Sequence, residues 1–324
     1  MSALNSIKNP VENEIKEFEK HFSSLMKSNV PLLGIITSYV LKRKGKMLRP
    51  LLVFLSAKIN GNINQSTHTA AAMIELLHTA SLIHDDVVDE SYMRRGFFSI
   101  NALWKSKLAV LMGDFLLSKG LLIAIDNNEF EILRIMSDAV RQLSEGELLQ
   151  IQKARKLNVD EKLYFDIIRQ KTASLIASCT ACGAYSTKVS KELVANMKDF
   201  GENLGMAFQI KDDLLDFEAK NNSGKPSGND LQEKKLTLPL IHALQICQPK
   251  EKRQIISLIN KKHTDSKSIE FILDFVKSNG GIVYATECMN QYKEKALQNL
   301  EIYESCDAKT ALIELSHYIV NRNK

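Results

Sequence analysis

The sequence predicts an all-α fold, and three features of the chain indicate it. Apolar residues recur every three or four positions, as in helices that bury one face; Ile74, Leu77 and Leu82 form one such series. Glycine and proline are scarce, with 14 and 6 among 324 residues, against roughly 12 per 100 residues for the two together in average proteins. Only the polar stretch 218–234 is plainly a loop. Because neither a linker nor a repeat interrupts the pattern, we expect a single domain over residues 1–324.

Individual segments fit this prediction in chain order. Pro50 is expected in the first turn of a helix, where its missing N–H costs nothing. The most apolar stretch, Leu108–Ile125, holds two charged residues and is shorter than the roughly 20 apolar residues of a membrane span, so we expect a buried core helix. Cys179 and Cys182 lie inside another predicted helix without a second cysteine pair nearby. We expect them to be small core residues rather than metal ligands.

Composition and charge narrow the class of protein. Hydrophobic residues make up 44% of the chain and charged residues 25%, as in soluble globular proteins. The formal net charge of +5 is too small and too dispersed to indicate a nucleic-acid partner. Five cysteines are an odd number, and no secretory segment precedes them, so we expect a reducing compartment and a cytoplasmic location.

The motif Asp-Asp-x-x-Asp occurs twice, each time inside an apolar helical pattern. Its members are Asp85, Asp86 and Asp89 in HDDVVDE, and Asp212, Asp213 and Asp216 in KDDLLDF. On a helix the first and third aspartates share a face, whereas the middle one is turned about 100° away. Like charges at this spacing repel, so a bound cation is expected, and hard carboxylate oxygens favour Mg²⁺. A single motif would more often be a solvated helix face, but two copies favour a metal site.

Basic residues accompany both aspartate motifs. The candidates are Lys46, Arg49, His78, Arg94, Arg95, Lys171, Lys225 and Lys235. Carboxylates with Mg²⁺, together with guanidinium and ammonium groups, are the ligands of a diphosphate. The competing interpretations are a core histidine for His78 and an ordinary helix-end charge pair for Arg94 and Arg95.

The motifs resemble those of the trans-prenyl diphosphate synthases, also called the polyprenyl synthetase family. The matching segments lie between about residues 40 and 240 and follow the family's order: GKMLRP, HTASLIHDDVVDESYMRRG, GDFLL, SEGELLQ, RQKTASL, GMAFQIKDDLLDF and GKPSGNDLQEKKLTLP. The resemblance implies an isoprenoid-synthase fold, an antiparallel helical bundle around a deep central cavity, and usually a homodimer.

It also implies a reaction. An allylic diphosphate, held by about three Mg²⁺ ions on the aspartates, loses pyrophosphate, and isopentenyl diphosphate attacks the allylic cation and then loses a proton. The implied metal ligands are Asp85, Asp86, Asp89, Asp212 and Asp216, with all six aspartates and Lys171 counted as catalytic.

The two substrates have separate implied binding residues. Isopentenyl diphosphate has to bind without ionising, so fixed cations are implied for its phosphates: Lys46, Arg49, His78 and Arg95. The allylic diphosphate is assigned to Arg94, Lys171, Thr172, Gln209, Lys225 and Lys235. Gln209 is also expected to steady the cation with its carbonyl dipole.

The residues before the first motif predict the product length. Ala80 and Ser81 lie one helical turn before Asp85, where short-chain members of the family tend to have bulky aromatic residues. Small side chains there let the growing tail pass deeper, and Leu77, Ile74 or residues on facing helices form the later floor. The sequence around this motif resembles octaprenyl-type enzymes that supply quinone side chains, so about eight isoprene units are expected along a helix that rises about 5.4 Å per turn.

Three alternatives remain at this point. A non-catalytic regulatory subunit of a heteromeric synthase is disfavoured because all six aspartates are present. A terpene cyclase is disfavoured by the basic residues implied for isopentenyl diphosphate. A shorter-chain farnesyl or geranylgeranyl synthase would share every motif named above. Membrane contact is expected to be at most transient, for product release.

Overall fold

The computed structural model describes residues 3–42, 45–94, 96–154, 160–217, 229–260 and 266–322. Its helices are α1 (Ala3–Lys8), α2 (Glu12–Leu25), α3 (Pro31–Leu41), α4 (Leu48–Asn60), α5 (Gln65–Val88), α6 (Ile100–Asp126), α7 (Phe130–Ala154), α8 (Glu161–Ile168), α9 (Ser174–Ser186), α10 (Lys191–Asp216), α11 (Asn229–Gln232), α12 (Leu238–Ile246), α13 (Pro249–Asn260), α14 (Ser266–Ser278), α15 (Gly281–Asn299) and α16 (Asp307–Asn321). The all-α prediction is confirmed. A small hairpin, β1 (Met93–Arg94) and β2 (Phe97–Phe98), was not predicted.

The described chain divides into two compact units. Unit 1 comprises Met1–Ser137, Ser178–Met197 and Ser305–Leu312, and unit 2 comprises Asp138–Ala177, Lys198–Glu304 and Ile313–Lys324. Four of the five boundaries fall inside helices α7, α9, α10 and α16, and the fifth, between residues 304 and 305, falls in the connection between α15 and α16.

The core of unit 1 is built on α5, which packs along α6 and against α4. Phe18 of α2 lies edge-on to Phe54 of α4, with ring centroids 5.9 Å apart, and both rings are fully buried. An N-terminal capping box opens α5: Asn64 accepts a hydrogen bond from the Thr67 backbone N–H, and the Thr67 hydroxyl accepts one from the Asn64 backbone N–H. This cap fixes the start of the helix whose far end bears the first aspartate motif.

The prediction of a buried core helix over Leu108–Ile125 is wrong for one face of α6. The most apolar part of this helix is only 39% buried, and by length and composition alone the helix could cross a membrane. One face packs on α5, where Gly120 lies against Leu77. The other face leaves Val110, Leu111 and Leu122 exposed. The apolar pattern of this segment therefore encodes two faces with different surroundings, and only one of them is the core.

Unit 2 has its own core, formed where α12 packs on α8, α14 and α15. Gly281 at the start of α15 approaches the backbone of Pro239 so closely that a Cβ atom would clash with the Pro239 carbonyl oxygen. The predicted loop 218–234 is partly wrong, because residues 229–232 form the short helix α11. The rest of that stretch, 218–228, lies outside the described residues.

Candidate active site

The second aspartate motif forms the last turn of α10. Its three carboxylates differ in exposure: the Asp212 side chain is 44% exposed, Asp213 is buried at 6%, and Asp216 is intermediate. The difference follows from helical geometry, because the middle residue is turned toward the core. Helix C-termini carry partial negative charge, so carboxylates there need cations or hydrogen-bond donors.

Asp213 is held by two donors from its own unit. The Tyr164 hydroxyl donates to Oδ2 at 2.6 Å, and Nε2 of Gln209 donates to Oδ1 at 2.8 Å. The other end of the Gln209 amide, Oε1, accepts a hydrogen bond from the Thr172 hydroxyl at 2.7 Å. Four side chains thus form one continuous chain of hydrogen bonds in the order Tyr164, Asp213, Gln209, Thr172.

Burial and neighbouring charge alter the protonation of these carboxyls. Burial, reinforced by the nearby Asp230, raises the pKa of Asp213 to about 8, against the opposing effect of the two donors. Burial and the charge of Asp216 raise the pKa of Asp230 to about 6. Crowded carboxylates therefore destabilise one another here, and a cation would relieve that repulsion.

A tight helix contact brings Thr172 to Gln209. Thr172 lies in a single π-helical turn, Arg169–Ala173, between α8 and α9. Gly205, one turn before Gln209, faces Ala173: a Cβ atom at residue 205 would come within 2.6 Å of the Ala173 Cα. Only glycine allows the backbones to approach this closely, and π-helical turns are frequent at functional sites.

Two further cations lie near the second motif. Lys171 forms an ion pair with Glu147 at 2.5 Å and donates to Gln150 at 3.2 Å. Arg322, at the end of the described chain, donates to Oδ1 of Asp212, and its guanidinium lies 4.0 Å from the centre of the Phe208 ring. Partial burial raises the pKa of Asp212, and Arg322 opposes that effect.

A pocket in unit 2 collects many of these groups. It is lined by Gln150, Tyr164, Ile167, Ile168, Lys171, Thr172, Gln209, Asp213, Asp230, Lys235, Leu236 and Thr237. Five of the predicted site residues are among them. The combination of one apolar wall with lysines, a hydroxyl and an amide suits a ligand with an anionic head and an apolar tail.

The first aspartate motif ends α5 in unit 1. Asp86 is 5% exposed, whereas Asp89, the C-cap residue, is exposed. The backbone closes the helix here, since the Asp89 N–H donates to the Asp85 carbonyl at 2.8 Å and the Ser91 N–H to the Asp86 carbonyl at 2.9 Å. This motif is thus also at a helix C-terminus, where a cation is favoured.

Three of the residues predicted for isopentenyl diphosphate lie in unit 1. Lys46 is exposed before α4, Arg49 is in the first turn of α4, and His78 is buried at 8% on α5. The packing of α4 on α5 makes the helices of Arg49 and His78 neighbours. Arg94 lies in β1. Arg95, and Lys225 of the allylic set, lie outside the described residues.

The four residues predicted to set product length lie on α5, and most of them are buried. Ile74, Leu77 and Ala80 are 0%, 4% and 3% exposed. Ser81 is half-buried, and its hydroxyl donates to the His78 carbonyl at 2.9 Å. Their effect on product length stays a prediction.

The donor set fits Mg²⁺. Among the described residues no group of three or more acidic, histidine or cysteine side chains is assembled tightly enough to hold a metal alone. Mg²⁺ ordinarily takes one or two protein carboxylates and completes its shell with water and substrate phosphates. Each aspartate motif places a few carboxylates at a helix C-terminus, and Asp212 of the second motif already pairs with the cationic Arg322. Each motif therefore offers the small number of protein carboxylates that Mg²⁺ takes.

Comparison with known proteins identifies the class. The family model described as polyprenyl synthetase matches residues 30–276. The octaprenyl diphosphate synthase of Escherichia coli (strain K12) is 34% identical over 300 residues, covering 92% of this chain and 93% of that protein. The chain belongs to the polyprenyl synthetase family and is a prenyltransferase, as its motifs indicated.

Solved structures of prenyl synthases have the same fold as this chain. A polyprenyl synthase from Caulobacter crescentus CB15, complexed with calcium and isoprenyl diphosphate, has a TM-score of 0.91 at 31% identity, over 99% of this chain and 98% of that one. A geranylgeranyl pyrophosphate synthase from Bacteroides thetaiotaomicron has a TM-score of 0.85 at 38% identity, over 99% and 100%. Prenyl synthases of this family use a divalent metal, isopentenyl diphosphate and an allylic diphosphate.

The sequence did not predict three residues that contact the second aspartate motif: Tyr164, Asp230 and Arg322. Asp230 lies inside the matched segment GKPSGNDLQEKKLTLP, so its carboxylate was visible as a candidate. Its backbone N–H donates to Asp216 at 3.0 Å. Tyr164 and Arg322 belong to no motif, and no local signal marks them.

Proposed function

We propose that the protein is a Mg²⁺-dependent all-trans-polyprenyl diphosphate synthase that adds isopentenyl diphosphate to an allylic diphosphate until about eight isoprene units are joined. The observation that carries the proposal is the pocket in unit 2. There Lys171, Lys235, Thr172 and Gln209 lie beside the second aspartate motif.

Different residues of this pocket bind the diphosphate and stabilise the allylic cation. Lys171 and Lys235 bind the diphosphate of the allylic substrate as fixed positive charges. Mg²⁺, when bound by the aspartates, neutralises charge on the departing pyrophosphate. The Thr172 hydroxyl and the Gln209 carbonyl oxygen face the carbon that becomes cationic and stabilise it by their dipoles.

Isopentenyl diphosphate needs a site that holds it without ionising it. We assign Lys46, Arg49 and His78 of unit 1 to its phosphates, because fixed cations bind a diphosphate without activating it as a leaving group. The first motif, Asp85 with Asp86 and Asp89, supplies further metal-binding carboxylates.

A long product is the favoured outcome, and a short one is the second candidate. The small, buried Ala80 before Asp85 and the octaprenyl relative support about eight units, with quinone side chains as the use. The 38% identity to a geranylgeranyl pyrophosphate synthase favours a shorter product.

We also propose that the 324 residues act as one polyprenyl synthetase domain and as a homodimer, in the cytoplasm. Family coverage of residues 30–276, which includes parts of both units, supports the single domain. All five cysteines are free, which supports a reducing compartment. The exposed apolar face of α6, around Leu111 and Leu122, supports the homodimer, since a monomer would leave it in water.

The decisive experiment supplies the purified protein with Mg²⁺, farnesyl diphosphate and isopentenyl diphosphate and measures product mass. A ladder ending near eight units supports the long-chain assignment, and a stop at four units supports the geranylgeranyl alternative. Turnover of farnesyl diphosphate without isopentenyl diphosphate would instead indicate a cyclase. No product from any allylic primer would favour a regulatory subunit.

A second experiment tests whether the exposed face of α6 forms the homodimer contact. Leu111→Glu places a charge on the exposed face of α6, and Leu148→Glu does the same at an exposed leucine on α7. Sedimentation should show that only the first variant loses the dimer. Equal behaviour of both variants would remove α6 as the contact surface.

A further inference from the structure

The orientation of the Gln209 side chain decides what it offers a cation. One end of an amide is a carbonyl oxygen with partial negative charge, and the other is an NH₂ group with partial positive charge. An allylic cation is stabilised by the first and repelled by the second. A group that fixes which end faces Thr172 therefore affects the rate of ionisation without touching the substrate.

Asp213 fixes that orientation from one side. Asp213 accepts the Tyr164 hydroxyl at Oδ2 and the Gln209 NH₂ group at Oδ1, the second at 2.8 Å, so the NH₂ end of the amide faces Asp213. The carbonyl oxygen is then directed to the Thr172 hydroxyl, 2.7 Å away. If Asp213 rotates away from Gln209, this preference weakens.

Tyr164 holds Asp213 in place from the other side. Its hydroxyl donates to Oδ2 at 2.6 Å, and the side chain is 4% exposed. Its ring packs edge-on against Phe165, with centroids 5.4 Å apart. Burial raises the pKa of Tyr164 well above its usual value, so the hydroxyl keeps the proton that it donates. A tyrosine has only two rotatable side-chain bonds, so a buried ring positions its hydroxyl firmly.

We propose that Tyr164 is a positioning residue for the condensation reaction: through Asp213 it keeps the Gln209 carbonyl oxygen directed toward Thr172 and the ionising end of the allylic substrate. This inference rests on the proposed function. It assigns the middle aspartate of the second motif to orienting an amide, whereas Asp212 and Asp216 remain the metal candidates of that motif.

The test replaces Tyr164 by Phe, which removes one hydroxyl and keeps the ring. We expect kcat to fall about tenfold, while KM for both substrates stays within about twofold, because the binding groups are untouched. The matched control is Tyr284→Phe. Tyr284 also donates to a carboxylate of unit 2, Glu161, and it does not line the pocket. Its kcat should stay unchanged.

A double-mutant cycle separates positioning from a general structural role. If Tyr164 acts through Gln209, then Tyr164→Phe should change kcat by less than about twofold when Gln209 is already Ala. Independent, multiplying effects would overturn the inference, as would an unchanged kcat in the single variant. Should Tyr164→Phe fail to fold, Asp213→Asn tests the same series of hydrogen bonds. An asparagine has one acceptor oxygen in place of two, so either Tyr164 or Gln209 loses its acceptor, and kcat should fall by the same amount.

The wild-type assay distinguishes failure of the positioning role from failure of the proposed function. Elongation by the wild type with equal kcat values for Tyr164→Phe and Tyr284→Phe would overturn the positioning role and leave the proposed function intact. No elongation by the wild type would overturn the proposed function and this inference together.

Discussion

The two aspartate motifs have the same sequence pattern and sit at equivalent places, yet they are embedded differently. Each ends a long helix, α5 or α10, and each buries its middle aspartate, Asp86 at 5% and Asp213 at 6% exposure. The backbone around the first motif closes a helix and leads into the hairpin β1–β2. The second motif is held by side chains from distant parts of unit 2, Tyr164 and Arg322.

This difference shows that one local pattern can serve two physical tasks. The shared feature, carboxylates at a helix C-terminus, creates the need for a cation at both motifs. The distant partners at the second motif determine which oxygen is available for that cation and which is already engaged. Substitutions that act on one motif and spare the other test the comparison directly.

The largest effect is expected from Asp85→Ala. Loss of a metal-binding carboxylate at the first motif should reduce kcat by about 10³-fold, as removal of a group that stabilises a leaving group does. Asp126→Ala is the matched control, because Asp126 also ends a long helix, α6, and is exposed. Steady-state assays check both variants; a loss below about tenfold for Asp85→Ala would contradict a metal role for that residue.

Product length should change when a bulky residue is placed on α5 before the first motif, but not when it is placed at the equivalent position on α10. Ala80 lies five residues before Asp85, and Ala207 lies five residues before Asp212; both are buried. Ala80→Phe should shorten the product because the ring blocks the path of the tail, whereas Ala207→Phe should keep the product length. Mass spectrometry of the products checks this, and an unchanged distribution in Ala80→Phe would remove α5 as the wall.

Gly205→Ala should separate Thr172 from Gln209 at the second motif. We expect a loss of about 1–3 kcal/mol in the free energy of unfolding, the usual cost of overpacking, and a drop in kcat. Gly183→Ala is the matched control: it also forces a methyl group onto backbone, at Val53 in unit 1. Denaturant titration and kinetics should give similar stability losses but a larger kcat loss for Gly205→Ala, and the reverse order would argue against this contact as a site element.

The smallest effect is expected from Arg322→Gln. Arg322 occupies an oxygen of Asp212, so its removal should let a divalent cation bind the substrate-free protein about two- to fivefold more tightly, within the range of a partly exposed ion pair. Mn²⁺ titration followed by electron paramagnetic resonance checks this, with the exposed Arg253→Gln on α13 as control. Weaker Mn²⁺ binding would show that Arg322 supports the metal site instead of competing for it.

Much of the site was predictable, but the tertiary partners were not. Helical periodicity identified the segments that bear both motifs and predicted that the middle aspartates turn away from the other two. It did not predict that only one face of α6 is buried, because an apolar face on a neighbouring helix and an apolar face at the surface have the same sequence pattern. It also placed a loop where α11 forms, because polar residues with glycine nearby are typical of both loops and short helices.

The sequence by itself determined the all-α fold, the family, and the six carboxylates around which the chemistry is built. These follow from spacing within one helix or from motifs within one segment, and such short-range order is written directly in neighbouring residues. Only the tertiary structure decided that Tyr164 anchors Asp213 across 49 positions and that Arg322 meets Asp212 across 110. Contacts at that separation arise when helices pack, because packing brings together side chains that no periodic pattern relates.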